Sequence, residues 1–141
     1  MSKNDGSESE RICVARLKKQ YGEKNVFIEK YTDTKQVKGK NLSGFVKASP
    51  ADFIVTASGQ MYYLEVKSCS NKTSFPFSQF TASQRRAMVR QKAAGGDYYV
   101  AIHNVLTDKW YFINAEQIIH QETSLNKKSI TWKELEGYEW K

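Results

Sequence analysis

Apolar residues recur along this chain with two periods, and the switches between them mark out the elements. Glu10, Cys13, Val14, Leu17 and Tyr21 share one face at helical spacing. Ser7-Glu8-Ser9-Glu10 reads as a capping box that opens this helix, and Gly22 closes it. NVFIEKYT, 25–32, alternates as a strand does, and DFIVT and MYYLEVKS alternate on either side of the turn ASGQ, which predicts a hairpin. A second capping box, Thr81-Ala-Ser-Gln84, opens a helix that runs to about Ala94 and stops at Gly95-Gly96. On it Gln84, Ala87, Met88 and Gln91 face one way, Arg86 and Arg90 another. YYVAIHNV and KWYFINA read as two strands joined near Thr107-Asp108, and AEQIIHQ and TWKEL as helical pieces, with Trp132 and Trp140 packing as core or dimer anchors. The stretch 33–49 follows neither period and reads as a loop or irregular hairpin carrying Lys35, Lys38, Lys40 and Lys47. The order of elements predicts an α/β (α+β) fold, a mixed central β-sheet flanked by helices. Residues 7–141 form a single domain on this reading, behind a disordered tail of 1–6.

Length and composition agree with that. A chain of 141 residues, 40% hydrophobic and 13% aromatic, suffices for one domain with a core. The net charge of +7 makes a polyanion the default partner, nucleic acid first. It also changes the picture of 33–49: a solvated excursion is the bland account, and a phosphate-contacting arm is slightly preferred. No apolar run approaches the roughly 20 residues of a membrane span, and the polar start lacks the core of a signal peptide, so a soluble, cytoplasmic protein is expected. Cys13 and Cys69 form no CxxC and lie far from His103 and His120, which points to reduced structural thiols, not a zinc site or a disulfide framework.

The hairpin carries the chemistry. With the turn centred between Ser58 and Gly59, Ala57 faces Gln60 and Asp52 lies opposite Glu65 on the same face, Cβ atoms roughly 4.5 to 5.5 Å apart. The period of two puts Lys67 beside Glu65, with Leu64 and Val66 on the other face. Two solvated acids and a surface lysine would be the ordinary account of such charges. Paired acids converging on one face repel unless a cation or hydrogen bonds offset them. A divalent ion on Asp52 and Glu65, helped by the Val66 carbonyl, meets that need, and the Lys67 ammonium suits orienting a water and neutralising a phosphodiester under attack. Glu10 at the edge of its helix is a capping carboxylate or a functional group with about equal weight.

Pro50-Ala51-Asp52, twelve further residues and Glu65-Val66-Lys67 resemble the PD-(D/E)xK nuclease signature, with an alanine between proline and aspartate. The run Asn71-Lys72-Thr73-Ser74-Phe75-Pro76-Phe77, then Phe80 and Gln84, is similar to the bacterial RecU resolvases, in which an ExK strand leads into a KTSFP-type loop and a helix bearing a glutamine. Gly6 to Arg11 resembles the first helix of archaeal Holliday-junction resolvases, whose glutamate joins the metal site. The resemblance runs from about residue 6 to 113 and is strongest from 49 to 100.

What it implies is a restriction-endonuclease-like fold and a structure-selective DNA endonuclease of the Holliday-junction resolvase type, acting in recombination and repair. Mg²⁺, or Mn²⁺ in its place, would bind as one or two ions per site on Asp52, Glu65 and Val66, with Glu10 assisting directly or through water. Lys67 would position the nucleophile and Gln84 would orient the site. Lys35, Lys38, Lys40, Lys72, Arg85, Arg86 and Arg90 would contact phosphates. Cutting two opposed strands of a junction implies a homodimer, for which SFPF would be an anchor, a lid beside the metal or plain core. Two alternatives stay open: another PD-(D/E)xK nuclease (nickase, flap cutter or restriction-like), or a nucleic-acid-binding module of this fold without activity. A phage or a bacterial source fits equally.

Overall fold

The computed structural model describes residues 6–31 and 49–141, so Lys35, Lys38, Lys40 and Lys47 lie outside the described residues. Its axis is a ten-residue strand, β3 (Gln60–Cys69). β2 (Phe53–Ala57) returns on it through a two-residue turn in which Ser58 and Gly59 both have positive φ, 53° and 76°. That is the type I′ geometry whose twist matches the flanking strands. It sets the expected register, Ala57 on Gln60 and Phe53 on Leu64.

β1 (Val26–Lys30) pairs antiparallel with the far edge of β2. Beyond β3 the chain crosses over through α2 (Ala82–Ala93) to β5 (Asp97–Asn104), which runs parallel to β3, and turns at Asp108, φ 56°, into antiparallel β6 (Lys109–Asn114). The sheet order is β1-β2-β3-β5-β6, the expected mixed sheet with helices on its faces.

Each face is apolar for its own partner. α1 (Gly6–Tyr21) sets Cys13 and Leu17 on Phe53, Val55, Leu64, Val66 and Trp110. On the other face Met88 of α2 and Ile118 of α3 (Ala115–Ile119) meet Phe75, Phe77, Phe80 and Val100. Lys67 and Glu65 alternate with Leu64 and Val66 and so fall on this second face.

Several expectations need adjustment. α1 begins at Gly6, placing Ser7 inside its first turn rather than at its N-cap, and taking Gly6 out of the expected tail. The helical piece after Ala115 widens at His120–Ser124 into a π-helical turn. Phe75 and Phe77 are fully buried, so SFPF is core and neither lid nor dimer anchor. Its first half is β4 (Ser74–Pro76), paired with β7 (Ser129–Thr131) in a small second sheet that leads into α4 (Trp132–Leu135), capped by Thr131 and Glu134. Strands of three residues are too short to show alternation, and this pairing joins distant parts of the chain.

Trp132 and Trp140 are both packed within the chain. Trp132 stacks on Tyr111 and donates to the Asn71 carbonyl, while Trp140 packs on Trp110 and Phe112 beneath the Arg16 guanidinium. Cys13 and Cys69 are free and buried, and burial pushes the Cys13 thiol up to about 12. Among the described residues no helix is long and apolar enough to cross a membrane.

Phe75 lies at 0% exposure where the small sheet meets the main core, in edge contact with Phe80. Phe75→Ala should therefore lower unfolding free energy by roughly 3–5 kcal/mol, read by denaturant titration. A change below about 1 kcal/mol would show that the small sheet is not part of the cooperative core.

Candidate active site

β2 stops at Phe53 opposite Leu64, while β3 continues for five residues paired only with β5. Along that open edge the ladder is continued by a side chain: Asp52 Oδ2 accepts from the Val66 amide at 2.9 Å. A strand residue sends its N–H and C=O to the same side, so the Val66 carbonyl faces the same opening. One strand further out, the Tyr31 amide donates to the Asp52 carbonyl at 2.9 Å. Tyr31, Asp52 and Glu65 thus form one row across the sheet.

Glu65 is only 3% exposed. Its Oε2 accepts from Gln84 Nε2 at 2.9 Å and lies 3.3 Å from Lys67 Nζ, whereas its Oε1 is buried with no hydrogen-bond partner. The Gln84 amide has no choice of orientation. Its Oε1 closes the capping box on the Thr81 amide, which leaves Nε2 to face Glu65. Lys67 is held equally firmly: Nζ donates to the Gln79 carbonyl at 2.9 Å and lies over the Phe80 ring. With three N–H donors and two acceptors, the Gln79 carbonyl and Glu65 Oε2, the ammonium retains one for a substrate oxygen or a water.

Electrostatics marks this as a strained place for two acids. Burial, with Asp52 next, pushes Glu65 up to about 8 despite Lys67. Burial pushes Asp52 up to about 6 against the Val66 hydrogen bond, with Glu10 adding repulsion. Both shifts are signs of buried carboxyls whose charge is not fully offset. The orphaned Glu65 oxygen, the second carboxylate and the adjacent carbonyl are hard oxygen donors, a set that fits a divalent cation of the Mg²⁺ kind.

Asp52, Glu65, Val66, Lys67 and Gln84 thus converge. Glu10 does not join them as a third ligand. α1 packs on the opposite face of the sheet, and Glu10 Oε1 pairs with Lys30 at the end of β1, 3.1 Å away, though outside hydrogen-bond geometry. Among the described residues no three His, Cys, Asp or Glu side chains gather as one metal cluster.

The basic residues divide as well. Arg85 turns inward, donating to the Phe77 carbonyl and pairing with Glu122 at 2.9 Å, so its guanidinium ties α2 to the π-helical turn. Arg86, Arg90 and Lys72 are exposed. The sequence reading missed Lys30, the Gln79 carbonyl, Tyr31 and Tyr63. Of these only Tyr63 carried a signal, its place two residues before Glu65 on one strand face.

Comparison with known proteins adds a family. The family model described as "RecU: Recombination protein U" matches residues 10–141, beyond the reach to about 113 read from the sequence. "Holliday junction resolvase RecU" of Bacillus mycoides is 33% identical over 97 residues, covering 67% of this chain and 48% of that protein. Its namesake in Geobacillus thermodenitrificans is 30% identical over the same coverage. The chain spans about half the length of the curated relatives it matches. The fold is also similar to that of Hjc, a Holliday junction resolvase from Archaeoglobus fulgidus. There the TM-score is 0.56 at 16% identity, over 89% of this chain and 86% of that one.

The raised carboxyls fix a pH dependence. Glu65 and Asp52 hold protons more tightly folded than unfolded, so between about pH 4 and 8 the metal-free folded state binds more protons. Its stability therefore falls as pH rises through that window, by on the order of a few kcal/mol, and is level below it. Thermal melts from pH 4 to 8.5 should show the fall, flattened by Glu65→Gln or by added Mg²⁺. A wild-type profile as flat as the variant's would contradict the strained pair.

Proposed function

We infer that this chain, which belongs to the recombination protein U family, is a Mg²⁺-dependent endodeoxyribonuclease that hydrolyses phosphodiesters in branched DNA, as a Holliday-junction resolvase. The observation that carries the reading is the buried Glu65–Asp52 pair with its unpartnered Glu65 oxygen beside an anchored Lys67. Such a costly group is not needed by a binding module or a structural domain, and Lys67 offsets its charge only in part.

Asp52 and Glu65, with the Val66 carbonyl, would hold the ion, and Glu10 would support it through water once Lys30 engages a phosphate. When bound, the ion would supply Lewis acidity toward the phosphodiester. Gln84 fixes the Glu65 carboxylate so that Oε1 stays in the opening. Lys67 has its free N–H donor in the same opening, where it orients a water or stabilises charge gathering on the phosphate oxygens. The Phe80 ring beneath it restricts solvent on one side, strengthening that contact.

The net charge of +7 supports a polyanionic substrate, and the similarity to Holliday junction resolvases supports branched DNA. A four-way junction offers paired strands to two sites, which calls for a homodimer. Lys72, Arg86 and Arg90 are retained as phosphate contacts, Lys35, Lys38 and Lys40 are proposed from sequence, and Arg85 is reassigned to structure.

The test is cleavage of end-labelled four-way junction, flap, duplex and single strand. Wild type with Mg²⁺ should give paired symmetric nicks in the junction alone. EDTA or Asp52→Asn should remove at least about 100-fold of the rate while junction binding persists. Equal cutting of every substrate would leave the nuclease and discard the junction, and binding with no cutting would favour the inert module.

Binding should weaken steeply with salt through counterion release. Arg86→Ala should reduce the salt slope by about 1, whereas Arg85→Ala should leave the slope alone and lower the melting temperature. The reverse pattern would return Arg85 to the DNA.

A further inference from the structure

Beside the carboxylates lies a cavity of about 730 Å³ that the cleavage chemistry does not use. Tyr63 of β3 lines it with Tyr31 and Pro50 from the segments flanking β1 and β2, and Ser83, Arg86 and Arg90 line it from α2. It shares a wall with the candidate active site: Tyr31 is the cross-strand neighbour of Asp52, Tyr63 precedes Glu65 by one strand repeat, and α2 also carries Gln84. Its volume lies in the range of a small-molecule or nucleotide site.

The lining has a definite chemistry. Among the described residues no acidic side chain lines the cavity, two arginines do, and neither of them forms an ion pair with a described carboxylate. Facing them is an aromatic corner, Tyr31 against Tyr63 with ring centroids 6.2 Å apart, backed by Tyr98 at 5.9 Å. The Tyr98 hydroxyl donates to the Pro50 carbonyl at 2.6 Å, which ties the ring behind Tyr63 to the cavity wall. An aromatic corner of two rings tilted by 42°, with two arginines in the same lining, suits a ligand that is planar at one end and anionic at the other.

We propose that this cavity receives one unstacked nucleotide of the DNA strand, its base against Tyr31 and Tyr63 and its phosphate on Arg86 and Arg90, next to the phosphate under attack. This rests on the endonuclease reading and deepens it. Duplex DNA offers an unstacked base only at the cost of opening a step, whereas a branch point offers one readily, so the cavity selects branched substrates without reading sequence.

The experiment walks a single abasic site along the cleaved strand of a four-way junction and measures wild-type binding in EDTA and cleavage in Mg²⁺. One position within about two nucleotides of the cut should lose on the order of 10-fold in affinity, and its neighbours little. Tyr31→Leu should weaken the intact junction and leave that abasic junction unchanged, Tyr31→Phe should behave as wild type, and Arg90→Gln should weaken both equally. A flat abasic scan overturns the subsite, as does a Tyr31→Leu effect of equal size on both junctions. Should Tyr31→Leu fail to fold by its melting curve, the wild-type scan decides alone. A flat scan with junctions still cut removes the subsite only. A base-dependent position with no cutting of any DNA removes the endonuclease and keeps the nucleotide site.

Discussion

A carboxylate that burial would rather protonate organises this molecule. Glu65 sits on the central strand with Asp52 across from it, and both are pushed above their ordinary range. An unrelieved pair of this kind would favour sliding the register or opening the strand. What prevents either is that every neighbour is committed elsewhere. Gln84 cannot leave Glu65 without breaking the cap of α2, and Lys67 cannot leave without losing the Gln79 carbonyl. The repulsion is stored by elements that are stable for other reasons, and it is available to a cation.

The opening itself comes from unequal strand lengths. β2 has five residues and β3 ten, so the second half of β3 has no partner on the β2 edge. An unpaired edge inside a protein is a liability. Here the Asp52 side chain takes over part of the ladder, and the space beyond it becomes both the carboxylate site and the tyrosine-lined cavity. Further toward the turn the same face is less covered: Phe27 and Met61, both registered on Thr56, are 66% and 63% exposed.

How much of this was legible in the sequence depended on the range of the interaction. The register of Asp52 on Glu65 followed from a two-residue turn, because a tight hairpin leaves no freedom and the side-chain period is two. The Thr81–Gln84 cap was legible for the same reason, both partners lying within one turn. Glu10 was read as half cap and half ligand because its local pattern fits a cap. Its partner, Lys30, lies on a strand across the helix–strand boundary, which no local spacing reveals. Arg85 looked like its neighbour Arg86 on the helix surface, yet one step of about 100° around the helix turns it toward Phe77 and Glu122. The Tyr31–Tyr63 corner was invisible because it joins β1 to β3 over an intervening strand.

These misreadings share a direction. Residues in contact over long range were read by their short-range role, and in each case the true partner was a charge or a ring brought in by sheet topology. Family similarity suggests roles for Glu10, Glu65, Lys67 and Gln84 but not the partners that Glu10 and Arg85 take up, because a motif fixes residue identity and spacing and leaves rotamers unspecified. The row Tyr31, Asp52 and Glu65 is the clearest case. Tyr31 follows β1, Asp52 precedes β2 and Glu65 lies on β3, so only the pairing of β1 with β2 could place an aromatic ring beside the acids. A site of this kind is a property of sheet order, and the motif marks only where along that order to look.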